Sequence, residues 1–215
     1  MANLINPYTF SQQEKSTITP TSPNGDSNSD FWNDEQFASL RSNIRKHYRE
    51  EQKGACCYCK SNLSHTGPGN CEIEHIAPRS RYKNFIFEPK NLAVSCQDCN
   101  RAKSDVDTIK PSSNKKPRKR YPIASNSFYI VHPHIDRYAD HIKNDGDFYI
   151  PETDKGRFTV SACKLDLRLH QYGYTGDSNF LELLALTSEL AKKMKNGAEI
   201  SPSIKQFERF LDGLK

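Results

Sequence analysis

Four cysteines in two pairs, Cys56/Cys59 and Cys96/Cys99, constrain this chain more than anything else in it. Two intervening residues place the thiolates of a pair one tight turn apart. Two such knuckles closing on one tetrahedral ion is the usual geometry of structural zinc. An ion held by all four has no open position, so its task is folding and not chemistry. Cys57, Cys71 and Cys163 are left over and are assigned as ordinary small residues. Cys57 lacks the two-residue gap to Cys59 that Cys56 has.

A staple of this kind suits the composition. The 215 residues are 35% apolar, with a mean hydropathy of −0.82. One domain, or one domain with an appendage, is expected, built on a small core. No apolar run reaches membrane-span length and the first residues lack a signal-peptide core, so a cytoplasmic protein with no membrane partner is expected. In that compartment the cysteines serve as ligands and thiols, not disulfides. The net charge is +5, yet residues 110–120 hold six cations (Lys110, Lys115, Lys116, Arg118, Lys119, Arg120) and no acid. The positive excess belongs to this one Pro-punctuated segment. It is either a solvated loop or a phosphate-contacting arm whose binding falls with salt.

Residues 1–30 are polar and are expected to form a flexible arm. Asn33 with Gln36 resembles a capping box, and Phe37, Leu40, Ile44 and Tyr48 recur at helical spacing, which predicts a helix over 34–52 ending near Gly54. Short strands are expected at Ile73–Ile76 and Leu92–Val94, then a short helix over 100–108. Beyond Pro122, strands are expected at 128–131, 147–150 and 158–160, with a short helix at 136–142. Two C-terminal helices follow. The first carries Phe180, Leu183, Leu184, Thr187, Leu190, Ala191 and Met194 on one face; the second opens at Ser201–Pro202 and carries Ile204, Phe207, Leu211 and Leu214. The domain plan is an arm (1–30), a core with its leading helix (31–109), a basic linker (110–122) and an α/β extension (123–215).

Between the knuckles lies CEIEHIAPRSR, with Glu74 and His75 at its centre. His47, His65 and His170 have no company that suggests chemistry, and His132, His134 and His141 match no ligand spacing. His75 differs, because Glu74 precedes it, Asn91 opens the second strand and Asn100 directly follows Cys99. The order C-x2-C, Glu74-His75-Ile76-Ala77-Pro78, Asn91-Leu92, Cys96-x2-Cys99-Asn100-x2-Lys103 resembles the HNH endonuclease family in its zinc-knuckle form.

That resemblance implies an α+β fold: a ββα-metal core with a four-cysteine zinc knuckle, flanked by an N-terminal helix and by C-terminal strands and helices. It implies Glu74 and Asn100 as ligands of a catalytic divalent ion, His75 as the general base and Asn91 as the pin of the loop between the strands. Oxygen ligands favour Mg²⁺ or Mn²⁺ over zinc at this second site. Lys103, Arg79 and Arg81 are expected on phosphates, together with Lys115, Lys116, Arg118, Lys119 and Arg120. Tyr82 and Phe85 either stack on bases or anchor the loop. The implied activity is hydrolysis of nucleic-acid phosphodiesters, DNA favoured. The segments IVHPHIDRYADHI and GDFYIPETDKG are similar to HNH subunits of Septu-type anti-phage systems, which work with an ABC/SMC-like ATPase and occur in some retron operons. Two alternatives stand beside this reading: a non-catalytic zinc-knuckle nucleic-acid-binding module, and an RNA-cleaving HNH effector.

Overall fold

The computed structural model describes residues 5–18, 29–65, 69–111, 118–145, 148–166, 186–187, 190, 193–197 and 199–212. The chain divides into two compact units, Met1–Asp166 and Leu167–Lys215.

The first unit opens with a segment whose composition suggests a flexible arm. Residues 5–18 instead pack. Ile5 is buried, Tyr8 N–H donates to the Tyr48 hydroxyl at 3.0 Å, and Gln12–Ile18 forms helix α1. The polar composition conceals this because the segment is held by backbone and side-chain hydrogen bonds, including Asn6 to Glu51, more than by apolar burial.

Helix α2 spans Ala38–Glu51, preceded by a 3-10 turn at Glu35–Phe37. Phe37, Leu40, Ile44 and Tyr48 face the core, as their spacing predicts. The capping box at Asn33 does not form; Asp34 precedes the first turn and makes no side-chain cap. Gly54 ends the helix at φ +70°, where a side chain would be strained, and its N–H returns to the Arg49 carbonyl at 2.8 Å.

Strands β1 (Glu72–His75) and β2 (Leu92–Ser95) pair antiparallel, with Glu74 opposite Ala93 and His75 opposite Leu92. Gln52 covers the outer side of β2: its side chain accepts from Val94 N–H at 2.8 Å and donates to the Val94 carbonyl at 2.7 Å. Helix α3 (Gln97–Lys103) follows at once, capped by Cys96. It therefore begins three residues before the expected start at 100 and ends short of 108.

Strands β3 (Ile142–Asp145) and β4 (Phe148–Pro151) form a second antiparallel pair. Helix α4 spans Asp154–Ala162, capped by the Thr153 hydroxyl. Three expectations fail here. Residues 128–131 meet a partner only at the Ile109–Phe128 bridge, because Val131 N–H turns to the Thr159 hydroxyl at 2.8 Å. Residues 158–160 lie inside α4, where the N-cap overrides their β-type residues. The expected helix at 136–142 is only a 3-10 turn at Tyr138–Asp140.

Gly156 lies on α4, where it meets the backbone of residue 141: an added Cβ would fall 2.1 Å from the His141 carbonyl oxygen. Gly156→Ala is expected to cost about 2–3 kcal/mol, the range for overpacking a site that cannot yield, measured by urea denaturation.

In the second unit, Ser201–Asp212 forms helix α5, as expected. Residues 186–187, 190 and 193–195 are helical. The remainder of the expected 180–194 stripe, apart from those positions, and Leu214 lie outside the described residues, as does the side chain of Leu211.

Candidate active site and zinc knuckle

The four Sγ atoms of Cys56, Cys59, Cys96 and Cys99 all lie within 4.8 Å of one another and are buried. Cys59 and Cys96 approach to 3.6 Å. Thiolates held tetrahedrally at about 2.3 Å from zinc lie about 3.8 Å apart, so this donor set fits a structural zinc ion. The remaining three cysteines are buried outside the set.

The knuckle reaches the neighbouring site through one side chain. Tyr58, between Cys57 and Cys59, is fully buried and its hydroxyl donates to Glu74 Oε1 at 3.0 Å. Burial, and then the Glu74 charge, raise the Tyr58 pKa well above the usual phenol value, so it remains a donor. The Lys103 ammonium joins it on the same oxygen at 2.7 Å. Burial pushes the Glu74 carboxyl up, against the pull of Lys103. With both partners on Oε1, no donor among the described residues reaches Glu74 Oε2.

His75 follows on β1 and is 8% exposed. Its Nε2 lies 3.1 Å from the Ile86 carbonyl. A carbonyl only accepts, so Nε2 carries the proton and Nδ1 keeps its lone pair. The ring of Trp32 meets the imidazole edge-on at 4.7 Å between centroids. Burial above all, and then the Arg79 charge, lowers the His75 pKa to about 3.

Asn91 is fully buried and bonded to the loop between the strands. Its Oδ1 accepts from Ala77 N–H at 2.7 Å, and its Nδ2 donates to the carbonyls of Phe85 at 2.9 Å and Ala77 at 3.2 Å. It sits in a 3-10 turn immediately before β2. Asn100 lies in the middle of α3 instead of at its head, and its amide nitrogen donates to Glu72 Oε2.

Glu72, Ile73, Glu74, His75, Arg79, Asn100 and Lys103 all line one cleft of about 510 Å³, together with Trp32. Reasoning from the sequence misses Glu72, although the strand period supplies the signal: two residues before Glu74, it shares that residue's face.

One expected phosphate contact, Lys103, is corrected. Lys103 is 1% exposed and gives its ammonium to Glu74 and to the His75 carbonyl at 3.0 Å. It is an internal strut between α3 and β1. Arg81 Nε donates to the Asp105 carbonyl at 2.8 Å, and Arg118 reaches the Lys110 carbonyl at 3.3 Å. Tyr82 donates to Asp107 and stacks on buried Phe85, so both anchor the loop. Lys119 and Arg120 are exposed; Lys115 and Lys116 lie outside the described residues.

Acid sensitivity follows from the buried imidazoles. His132 is fully buried and, by burial first, its pKa is also lowered well below the usual value. On acidification through about pH 6.5 the unfolded chain takes up protons that the folded chain refuses, so stability falls. The loss from His75 continues toward its folded value of about 3. Denaturation midpoints between pH 8 and pH 5 are expected to be level above about 6.5 and to fall below it. The slope approaches about 1.4 kcal/mol per pH unit for each ring. Zinc content followed in parallel separates this from loss of thiolates.

The cleft thus gathers an acid, an imidazole and an amide beside a four-cysteine knuckle, on a ββα frame. Residues 56–106 match the family model for HNH endonuclease. The chain is also similar to the Septu protein PtuB of Bacillus thuringiensis, 28% identical over 117 residues, a stretch that covers 54% of this chain and 38% of that protein. The chain thus matches less than half of that relative's length. No solved structure matches. Among the described residues no helix is long and apolar enough to cross a membrane.

Proposed function

We propose that this chain is a metal-dependent endonuclease that hydrolyses phosphodiester bonds, DNA favoured, within an anti-phage defence system. One observation carries this reading. His75, with its proton fixed on Nε2 by the Ile86 carbonyl, lines the same cleft as Glu74 and Asn100. Binding alone has no use for a neutral, oriented imidazole in that position.

Each residue has a distinct task. His75 takes the proton of the attacking water at Nδ1, the ring nitrogen that keeps its lone pair. Asn91 holds the loop that carries the Ile86 carbonyl and so keeps the ring oriented. Arg79 brings a permanent positive charge beside His75, suited to the scissile or a flanking phosphate. The oxygens Glu74 Oε2 and Asn100 Oδ1, which no described donor engages, fit a hard cation. Glu74 and Asn100 would hold Mg²⁺ or Mn²⁺, whose chemistry there when bound is stabilisation of charge on the phosphate and the leaving oxygen. Lys119 and Arg120 remain as surface contacts to the nucleic-acid backbone.

The Septu-type resemblance supports an ABC/SMC-like ATPase as the partner that gates cleavage. Helix α5, with Ile204 exposed, is the surface assigned to it.

Supercoiled plasmid, single-stranded DNA and total RNA incubated with the purified chain, alone and with an ABC/SMC-like ATPase of the Septu type, test the assignment. Cleavage that requires Mg²⁺ or Mn²⁺ and stops with chelator is the expected result. Salt-dependent binding with no cutting under any of these conditions identifies the non-catalytic binding module instead, and cleavage confined to RNA identifies the RNA-directed effector.

A further inference from the structure

We propose that Glu72 is a positioning residue for Asn100: its carboxylate holds the amide nitrogen, so that Oδ1 is the atom presented to the cation. This rests on the metal-site reading above and assigns Glu72 a task within it.

The argument begins with the amide itself. Asn100 has one donor end and one acceptor end, exchanged by a half-turn about its last bond, and only the acceptor end can ligate a cation. The backbone of Asn100 is fixed within α3, its N–H donating to the Cys96 carbonyl at 3.0 Å and its carbonyl accepting from Ser104 at 2.9 Å. The side chain is therefore delivered to the cleft with its position set and its rotation not. A carboxylate can only accept, so a carboxylate against the amide selects the orientation with nitrogen inward. Glu72 Oε2 accepts from Asn100 Nδ2. No other partner of the Asn100 side chain occurs among the described residues. Glu72 in turn is placed by strand geometry, two residues before Glu74 and on the same face, paired opposite Ser95. One strand thus supplies both the acid for the cation and the acid that orients the second ligand.

The test measures Mn²⁺ uptake by the zinc-loaded full chain, using electron paramagnetic resonance of free Mn²⁺, with cleavage measured separately. Glu72→Gln is expected to weaken Mn²⁺ binding roughly tenfold, the lower end for a group that orients a metal ligand. Glu72→Asp keeps the charge but withdraws it from the amide, and is expected to weaken binding similarly. The decisive arm is the Asn100→Asp background. There both ends of residue 100 are oxygens and nothing needs orienting, so only the attraction of the Glu72 charge for the cation is lost; Glu72→Gln is then expected to weaken Mn²⁺ binding clearly less than in the wild-type background. Zinc content and circular dichroism establish that each variant is folded. Equal weakening by Glu72→Gln in both backgrounds, or wild-type affinity in Glu72→Asp, overturns the positioning role. Failure of the wild type to take up Mn²⁺ in a Glu74-dependent manner overturns the metal site itself, and with it this proposal.

Discussion

Replacing His75 by Ala is expected to lower phosphodiester cleavage by roughly 10²–10⁴-fold, the usual contribution of a positioned general base. The fold should survive. The pinning of the loop by Asn91 does not use the imidazole, and Lys103 reaches the backbone carbonyl of residue 75, not its side chain. The variant should therefore keep its zinc and its affinity for nucleic acid while losing turnover. Added imidazole, able to enter beside Trp32, should restore part of the rate. Cleavage by His75→Ala at the wild-type rate would remove His75 from the chemistry and return the cleft to a binding role.

The second large effect belongs to the knuckle. Cys96 is at once one of the four clustered thiols and the N-cap of α3, its Sγ accepting from Cys99 N–H. Cys96→Ser is expected to release zinc and lower the melting temperature by about 10–20 °C. That corresponds to about 5 kcal/mol at this chain length, a fraction of what structural zinc supplies to small peptides that lack another core. The fraction is partial because Phe37, Ile44 and Tyr48 retain a core of their own. Metal content by mass spectrometry and a thermal melt check it; unchanged values for both would show that the four thiols fold the chain without an ion.

The centre of the molecule was legible because chemistry dictated its residue types. Knuckle spacing, an acid beside an imidazole and an Asn after the last Cys are rarely assembled for packing, and the structure brings them to one frame. Periodicity also located α2 and the β1–β2 pair. What failed was decided by tertiary partners. Lys103, one helical turn after Asn100, is expected on a phosphate; only the position of Glu74 across the cleft shows it as a strut. The β-type run at 158–160 became helix because the Thr153 cap and the Thr159 hydroxyl satisfy backbone groups that a strand would leave to neighbours. The polar N-terminal segment is ordered by hydrogen bonds to distant residues, among them Ile5 O to His134. None of these is periodic.

The hydroxyl of Tyr58 ties the four-cysteine turn to the acid in the cleft. Tyr58 sits inside the Cys-x2-Cys turn and grips the carboxylate of Glu74, so the acid in the cleft is set only once the turn is closed. A chain whose four thiols hold no ion loses a constraint on that turn, and Glu74 then keeps Lys103 as its other partner. On the proposed reading, an oxidant or chelator that opens the thiol cluster would disturb the cleft from behind without touching it.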